Sequence, residues 1–144
     1  FSLGENLFAV DIMWIREIII PQKLSALPGA SQLFEGVINL RGAVIPVMNM
    51  RKRFGMPDVH NGTQGKLLIV SLVRQMLALA VDSVMEVITV PARDIKPPLD
   101  MSECVGMEFL LGVCLSDDRV FMILDIDTLL GQMEGRDPVH ALSE

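Results

Sequence analysis

An internal repeat constrains this chain more than any other feature of its sequence. Residues 34–55, FEGVINLRGAVIPVMNMRKRFG, align without a gap to residues 110–131, LLGVCLSDDRVFMILDIDTLLG, with four identities. Both copies follow the same order: a glycine, a strand-like run, a turn, a second run, a helix-capping residue and a closing glycine. A duplicated unit of this kind predicts two similar substructures that pack against each other.

A second matching block precedes each copy of this repeat. The tripeptide AVD occurs at residues 9–11 and again at 80–82. Each is followed by a β-prone run that contains an acid and ends in proline, with Glu17 in the first run and Glu86 in the second. The chain therefore contains two successive similar units, one in each half.

The apolar segments are short, rich in Val and Ile, and bounded by Gly, Pro, Asn or Asp, which predicts an all-β fold. Two short helices are expected, Met50–Phe54 after the cap Asn49 and Ile126–Leu130 after the cap Asp125. The predicted strands are Leu7–Ile12, Ile15–Ile20, Gly36–Leu40, Ala43–Met48, Lys66–Val73, Met76–Val81, Ser83–Val90, Leu110–Leu115 and Arg119–Leu124. Tight hairpins are predicted at residues 40–42 and 116–118.

A chain of 144 residues is the usual size of one domain. We expect a single domain over residues 1–144, built from two subdomains at about 1–65 and 66–131, with a C-terminal tail at 132–144. Exchange of strands between the subdomains is left open. Half a domain of this size suits a small barrel, whose closure removes exposed strand edges, and two barrels side by side leave a groove.

The net charge of −6 argues against a nucleic-acid binder, which needs a basic stripe to neutralise phosphates. Residues 1–57 carry six basic and four acidic side chains, and residues 58–144 carry six basic and fourteen acidic ones. The two halves therefore present different fields to partners. No apolar run reaches the length of a membrane span and no signal peptide opens the chain, so a soluble, cytoplasmic protein is expected.

No set of residues in the sequence forms a convincing catalytic, cofactor or metal site, so we expect a protein that is not an enzyme. His60 and His140 have no partner at ligand or triad spacing and are interpreted as surface residues. The GTQGK stretch from Gly62 lacks the spacing of a phosphate loop and is interpreted as a hairpin or linker. Asp125 and Asp127 are interpreted as helix-capping and dipole partners.

The remaining unusual residues each allow a structural and a functional interpretation. Cys104 and Cys114 lie in apolar surroundings and are interpreted as ordinary thiols, and most of the ten methionines as core filling. Trp14 anchors either a barrel end or a partner contact. Arg41, at a predicted hairpin tip, and Glu17, in a β-branched run, are either solvated surface charges or contacts to a partner.

Several blocks of the chain together resemble a known family, the CheW-like domain. The blocks are IREI at Ile15–Ile18, GVINLRG at Gly36–Gly42, VIPVMNMRKRF at Val44–Phe54, AVDSVMEV at Ala80–Val87 and GVCLSDDRVFMILDIDTLL at Gly112–Leu130. The resemblance extends over nearly the whole chain to about Gly131. One departure is Asn49, where the family often has Asp, which keeps the helix cap but weakens any charge-dependent contact there.

The resemblance implies two five-stranded, SH3-like barrels packed about a hydrophobic seam. It also implies a chemotaxis adaptor in two-component signal transduction, which couples a methyl-accepting chemoreceptor to the histidine kinase CheA in arrays at the inner membrane. One surface would meet the cytoplasmic tip of the receptor and another the regulatory domain of CheA. Matched to the family's motifs, the receptor- and kinase-binding positions are Ile15, Glu17, Gly36, Arg41 and Val87.

Two other hypotheses remain at this point. The chain could be the CheW-like regulatory domain of a CheA kinase, or the CheW-like part of a CheV-type fusion, and the sequence on either side of it would discriminate. A small β-barrel hydrolase or ligand binder would need a pocket with a perturbed titrating group, and the sequence offers no candidate.

Overall fold

The structure, a computed structural model, describes residues 1–26, 28–29, 33–57, 65–72, 75–97 and 109–129. The strands are β1 (Ser2–Leu3), β2 (Asn6–Ala9), β3 (Ile15–Ile19), β4 (Phe34–Leu40), β5 (Ala43–Asn49), β6 (Lys66–Ser71), β7 (Met76–Val81), β8 (Leu110–Ser116) and β9 (Arg119–Leu124). The helices are α1 (Met50–Arg53) and α2 over residues 126–129, with 3₁₀ turns at Ile12–Trp14 and Ala92–Asp94. Outside the described residues lie His60, Cys104, His140, Gly62 to Gln64 and the tail 132–144.

The described strands form two sheets, which confirms the all-β prediction. One sheet has five strands in the order β3-β6-β7-β5-β4, and the other has four in the order β1-β2-β9-β8. The predicted hairpins β4–β5 and β8–β9 are both formed. The pairs β5–β7 and β2–β9 run parallel, and the other neighbouring strands run antiparallel.

The sequence repeat reappears as a repeat of backbone geometry in the two hairpins. Their registers shift at the same place, between Phe34 and Gly36 in β4 and between Leu110 and Gly112 in β8. The pattern of buried and exposed residues along β4 is the same as that along β8. Both copies of the duplicated unit therefore carry a bulge at the same position, where it bends the strand.

The two short helices also begin with equivalent caps. The side chain of Asn49 accepts a hydrogen bond from the Lys52 N–H at 3.2 Å, and Asp125 accepts one from the Thr128 N–H at 3.2 Å. Each cap satisfies a backbone donor that the first turn of a helix leaves without a partner. The predicted caps are confirmed, and within the described residues each helix has a single turn.

The two halves of the chain exchange strands. The hairpin β1–β2 pairs with the C-terminal hairpin, where Leu7 of β2 lies opposite Phe121 of β9. The equivalent hairpin β6–β7 pairs with the N-terminal half, where Ala78 of β7 lies opposite Val47 of β5. Each sheet therefore contains strands from both halves of the repeat, and neither half of the sequence builds a sheet alone.

A hydrophobic seam joins the two sheets. The larger core cluster takes buried residues from both of them: Phe1, Leu3, Phe8, Phe34, Met48, Met50, Leu68, Val70, Leu77, Leu79, Val81, Phe109, Leu110, Leu124, Ile126 and Leu129. A smaller cluster consists of residues from the five-stranded sheet alone: Ile38, Ile45, Val47, Leu67, Ile69 and Ala78. Alternate residues of β6 enter the two clusters, so this strand is buried on both faces, which explains its unbroken apolar run. Trp14 packs against the larger cluster.

The predicted strand Ser83–Val90 is wrong. Ser83 forms an isolated bridge with Ser2, and residues 84–90 pair with no strand in the part of the chain that the structure describes. The physical reason is the length of the neighbouring strand: β3 of the first half pairs along six-residue β6, whereas the equivalent neighbour β1 has two residues. The second sheet therefore has four described strands rather than the expected five, and the sheets curl without closing into complete barrels.

One ionic contact ties three elements together where the halves meet. The Arg51 guanidinium on α1 donates to both carboxylate oxygens of Asp82, from Nε at 2.9 Å and from Nη2 at 2.5 Å. The Gly4 N–H, in the turn between β1 and β2, donates to Asp82 at 2.6 Å. These hydrogen bonds, led by that from Arg51, hold the pKa of Asp82 below its usual value, although desolvation opposes them.

The substitution Asp82→Asn is expected to lower the free energy of unfolding by about 1–3 kcal/mol at neutral pH, because a charge-assisted pair is lost. A depressed folded pKa stabilises the protein above the unfolded pKa, and this stabilisation disappears as the pH falls through the folded pKa. The difference between Asp82→Asn and the wild type should therefore shrink below about pH 4. Denaturant unfolding at a series of pH values measures it, with the exposed turn variant Asp118→Asn as control. A difference that does not change with pH would contradict this role.

Candidate functional site

Strand β3 carries two of the predicted binding residues at an edge of the five-stranded sheet. Ile15 and Glu17 are half-buried, and the intervening Arg16 is exposed. The register shifts between them, with Ile15 opposite Val70 and Glu17 opposite Ile69, so the two side chains face different sides of the sheet. Ile15 packs against the larger core cluster, so only part of its surface is available to a partner.

Arg41 lies at the tip of the β4–β5 hairpin, in a turn with positive φ. The Gly42 N–H donates to the Asn39 side chain at 2.9 Å and holds this turn. The Arg41 guanidinium forms an ion pair with Glu17, and 68% of the Arg41 side chain remains exposed against 28% for Glu17. The hairpin tip therefore presents an exposed cation, the Arg41 side chain, which is bound to Glu17 of β3.

This ion pair adds a contact that neither interpretation of Arg41 and Glu17 from the sequence included, because the two residues bind each other. In the sheet order, β3 and β4 are opposite edges. The contact between Glu17 and Arg41 shows that the sheet curls until the hairpin tip reaches its other edge. A contact between residues 24 positions apart depends on that curl, and spacing in the sequence carries no sign of it.

A second ion pair lies at the tip of the β8–β9 hairpin. Arg119, the first residue of β9, donates to Glu86 at 2.8 Å, and its guanidinium also lies 5.3 Å from the centre of the Phe121 ring. In the alignment of the two repeats, residue 41 corresponds to Asp117, so the aligned position has no cation. The counterpart is Arg119, two positions further on. The acid in the second β-prone run was the signal that could have found it.

The two hairpin tips differ in the polarity of their outer faces. In β8–β9, Leu115 and Val120 lie opposite each other and are 66% and 59% exposed. The equivalent pair in β4–β5 is Asn39 and Val44, of which only Val44 is apolar. Sequence reasoning missed this apolar pair. Exposed apolar neighbours of this kind are typical of contact surfaces.

Gly36 and Val87 stand in different settings from Glu17 and Arg41. Gly36 is buried in β4, where Val37 bridges to Ser25, and a Cβ on Gly36 would meet the Ser25 carbonyl oxygen at 2.5 Å. Val87 is 75% exposed and follows Glu86, beside the other sheet. The structure therefore brings Glu17 and Arg41 together and packs Ile15, two residues away on β3, against the larger core cluster. It makes Gly36 a packing residue and leaves Val87 on a second surface.

The described residues offer no cluster of side chains suited to holding a metal ion. In them no three His, Cys, Asp or Glu side chains converge in a way that could bind a metal ion. An open depression of about 340 Å³ is lined by Glu5, Asn6, Leu7, Arg119, Val120 and Met122. Burial raises the pKa of the Cys114 thiol, with Asp94 adding to the effect, so this cysteine is a protonated core residue. None of the helices described is long and apolar enough to span a bilayer.

Comparison with known proteins gives consistent matches. The family model described as "CheW-like domain" matches residues 1–134. The chain is 31% identical over 138 residues to the chemotaxis protein CheW of Treponema pallidum, covering 93% of this chain and 81% of that protein. It is 31% identical over 134 residues to the chemotaxis protein CheW of Rhizobium meliloti, covering 93% and 86%. The crystal structure of the scaffolding protein TtCheW from Thermoanaerobacter tengcongensis superimposes with a TM-score of 0.77 and 33% identity, covering 86% of this chain and 80% of that one.

Proposed function

The chain belongs to the family of CheW-like domains, and from this premise we propose that it is a chemotaxis adaptor without catalytic activity. It couples the cytoplasmic tip of a transmembrane chemoreceptor to the regulatory domain of the histidine kinase CheA. It does so in the cytoplasm, within receptor arrays at the inner membrane. The observation that carries the proposal is the exposed hairpin tip at which Arg41 is anchored by Glu17.

The anchored tip suits a binding role better than a structural one. An exposed ion pair contributes about 0–1 kcal/mol to folding, so Arg41 and Glu17 are not needed to hold the sheet together. Charged groups on a contact surface mainly select the partner and fix its orientation. We assign Ile15, Glu17 and Arg41 to one contact surface on this basis.

A second contact surface lies around Val87 at the other sheet. Its exposed apolar side chains are those of Val87, Leu115 and Val120. Burying apolar surface on binding stabilises a complex by about 25 cal/mol per Å². Two separate surfaces on one rigid body are what an adaptor requires, since each partner then keeps its own site. Bound to both partners, the chain would let a conformational shift in the receptor bias the activity of the kinase.

A regulatory domain of CheA or part of a CheV-type fusion is the alternative. Two relatives at 31% identity are named chemotaxis protein CheW, which favours the adaptor. The amino-acid sequence flanking these residues distinguishes the two: a kinase would place an ATP-binding domain immediately upstream.

Binding of the purified chain to two immobilised fragments tests the function. One fragment is the regulatory domain of CheA and the other the coiled-coil tip of a chemoreceptor. We expect the chain to bind each fragment alone and both together. Binding of neither fragment by the folded wild-type chain would refute the proposal. Competition between the fragments would refute the assignment of two separate surfaces.

A further inference from the structure

Two equivalent segments of the repeat are held in the fold by different means. Strand β3 is bonded along its length to β6, from Ile15 opposite Val70 to Ile19 opposite Leu67. The matching segment, residues 84–90, makes no backbone hydrogen bond to any other described residue. Its course must therefore be set by its ends and by its side chains.

The chain is held by backbone hydrogen bonds both before and beyond this segment. At one end the Asp82 N–H donates to the Ser2 carbonyl at 3.0 Å, and the Ser2 N–H donates to the Ser83 carbonyl at 2.8 Å. Six residues beyond its other end, Lys96 and Val113 exchange two backbone hydrogen bonds, at 2.8 and 2.9 Å. These attachments fix where the 84–90 segment begins and where the chain beyond it rejoins the sheet.

Between the ends, Glu86 is the acidic residue that reaches the sheet. Its carboxylate accepts a hydrogen bond from Arg119 of β9 at 2.8 Å. Val84 adds an apolar contact to the larger core cluster. The next residue after Glu86 is Val87, whose side chain is mostly exposed.

We propose that Glu86 and Arg119 are positioning residues, whose ion pair fixes the 84–90 segment so that Val87 is presented to a partner. This rests on the proposed function, in which Val87 contacts a partner. An exposed pair has little effect on global folding, yet it can shift a local equilibrium between attached and detached positions by several fold. The pair therefore acts on placement, not on overall stability.

The first ion pair provides a contrast within the same molecule. Glu17 lies on a strand whose backbone is already held by β6, so loss of Glu17 leaves the strand in place. Loss of Glu86 removes the tie between the middle of the 84–90 segment and β9. The same chemical change should thus release the backbone in one half of the repeat and not in the other.

The test uses Glu86→Gln, Arg119→Met and the exchanged double variant Glu86→Arg with Arg119→Glu. The first readout is the NMR order parameter of the Val87 methyl groups in the unbound protein. We expect it to fall in both single variants and to recover in the double variant. Glu17→Gln is the matched control and should leave the Val87 order parameter unchanged. Thermal unfolding should be nearly unaffected in all four proteins.

The second readout is affinity for the partner fragment whose binding is weakened by Val87→Asp. We expect affinity to fall about 3- to 10-fold in the single variants and to recover in the double variant. An unchanged Val87 order parameter in Glu86→Gln would overturn the positioning role, whatever the binding result. A lower order parameter with unchanged binding would overturn the link to the partner. Absence of binding by the wild type would count against the proposed function instead.

Discussion

Replacing Gly36 by alanine is expected to lower the free energy of unfolding by about 2–5 kcal/mol, the largest effect among the single changes considered. Gly36 has a φ of +145°, a conformation that side-chain-bearing residues rarely adopt. A Cβ would also lie 2.5 Å from the Ser25 carbonyl oxygen, which bonds to Val37 and cannot easily move. Loss of coupling in this variant would therefore arise from misfolding and not from a missing contact.

Two further glycines separate the two causes. Gly42 has a φ of +88° and open space around it, so Gly42→Ala should show the backbone cost alone, about 1–2 kcal/mol. At Gly112 the obstacle is steric only, with the Lys96 carbonyl oxygen and the Ile95 side chain in the way. Denaturant unfolding of the three variants measures the effects. A Gly36→Ala variant as stable as wild type would contradict the packing role assigned to Gly36.

The substitution Arg41→Asp is expected to leave the protein folded and to reduce receptor-dependent kinase activation by about tenfold or more. Arg41 is an exposed residue with a φ of +50°, and aspartate tolerates this conformation better than most residues. The new carboxylate would face Glu17, so the tip would present two negative charges where a partner meets an anchored cation. Kinase activity in an array reconstituted from receptor, kinase and this chain is the measurement.

Two control variants accompany Arg41→Asp. Arg16→Asp makes the same change in net charge on an exposed residue next to Glu17, and it should have a much smaller effect. The exchanged variant Arg41→Glu with Glu17→Arg restores the ion pair but reverses its direction. Recovery of activation there would assign the pair a merely structural role. Full activation by Arg41→Asp would remove this tip from the coupling surface.

Much of the fold can be read from local patterns in the sequence. The repeat and its turn residues predict both hairpins, and the caps Asn49 and Asp125 predict both helices. The pairing of β2 with β9 cannot be read in this way, because parallel pairing of distant strands leaves no local pattern. The strand expected at Ser83–Val90 has the right composition, but composition does not supply the neighbouring strand that it needs.

The candidate site divides along the same line. Arg41 and Glu17 stand out in the sequence as charges in apolar surroundings, and the curl of the sheet joins them. Position-by-position alignment of the repeat makes Asp117 the counterpart of Arg41 and overlooks Arg119. Equivalent contacts in a duplicated fold can shift by two residues along a strand and keep the same face. Both halves of the repeat thus keep an arginine–glutamate ion pair, although the two arginines do not align.

The exchange of hairpins sets an order in which the chain can fold during synthesis. The five-stranded sheet is complete once β7 has been made, but β2 must wait for β9, more than a hundred residues later. Pairings with long sequence separation form late because closing the intervening loop costs entropy. We expect pulse-labelled hydrogen exchange to show protection of β6 before β2; simultaneous protection would argue against it. The β1–β2 hairpin, which is synthesised long before β9, is then the last of these hairpins to find its sheet, and its apolar residues stay exposed to chaperones meanwhile.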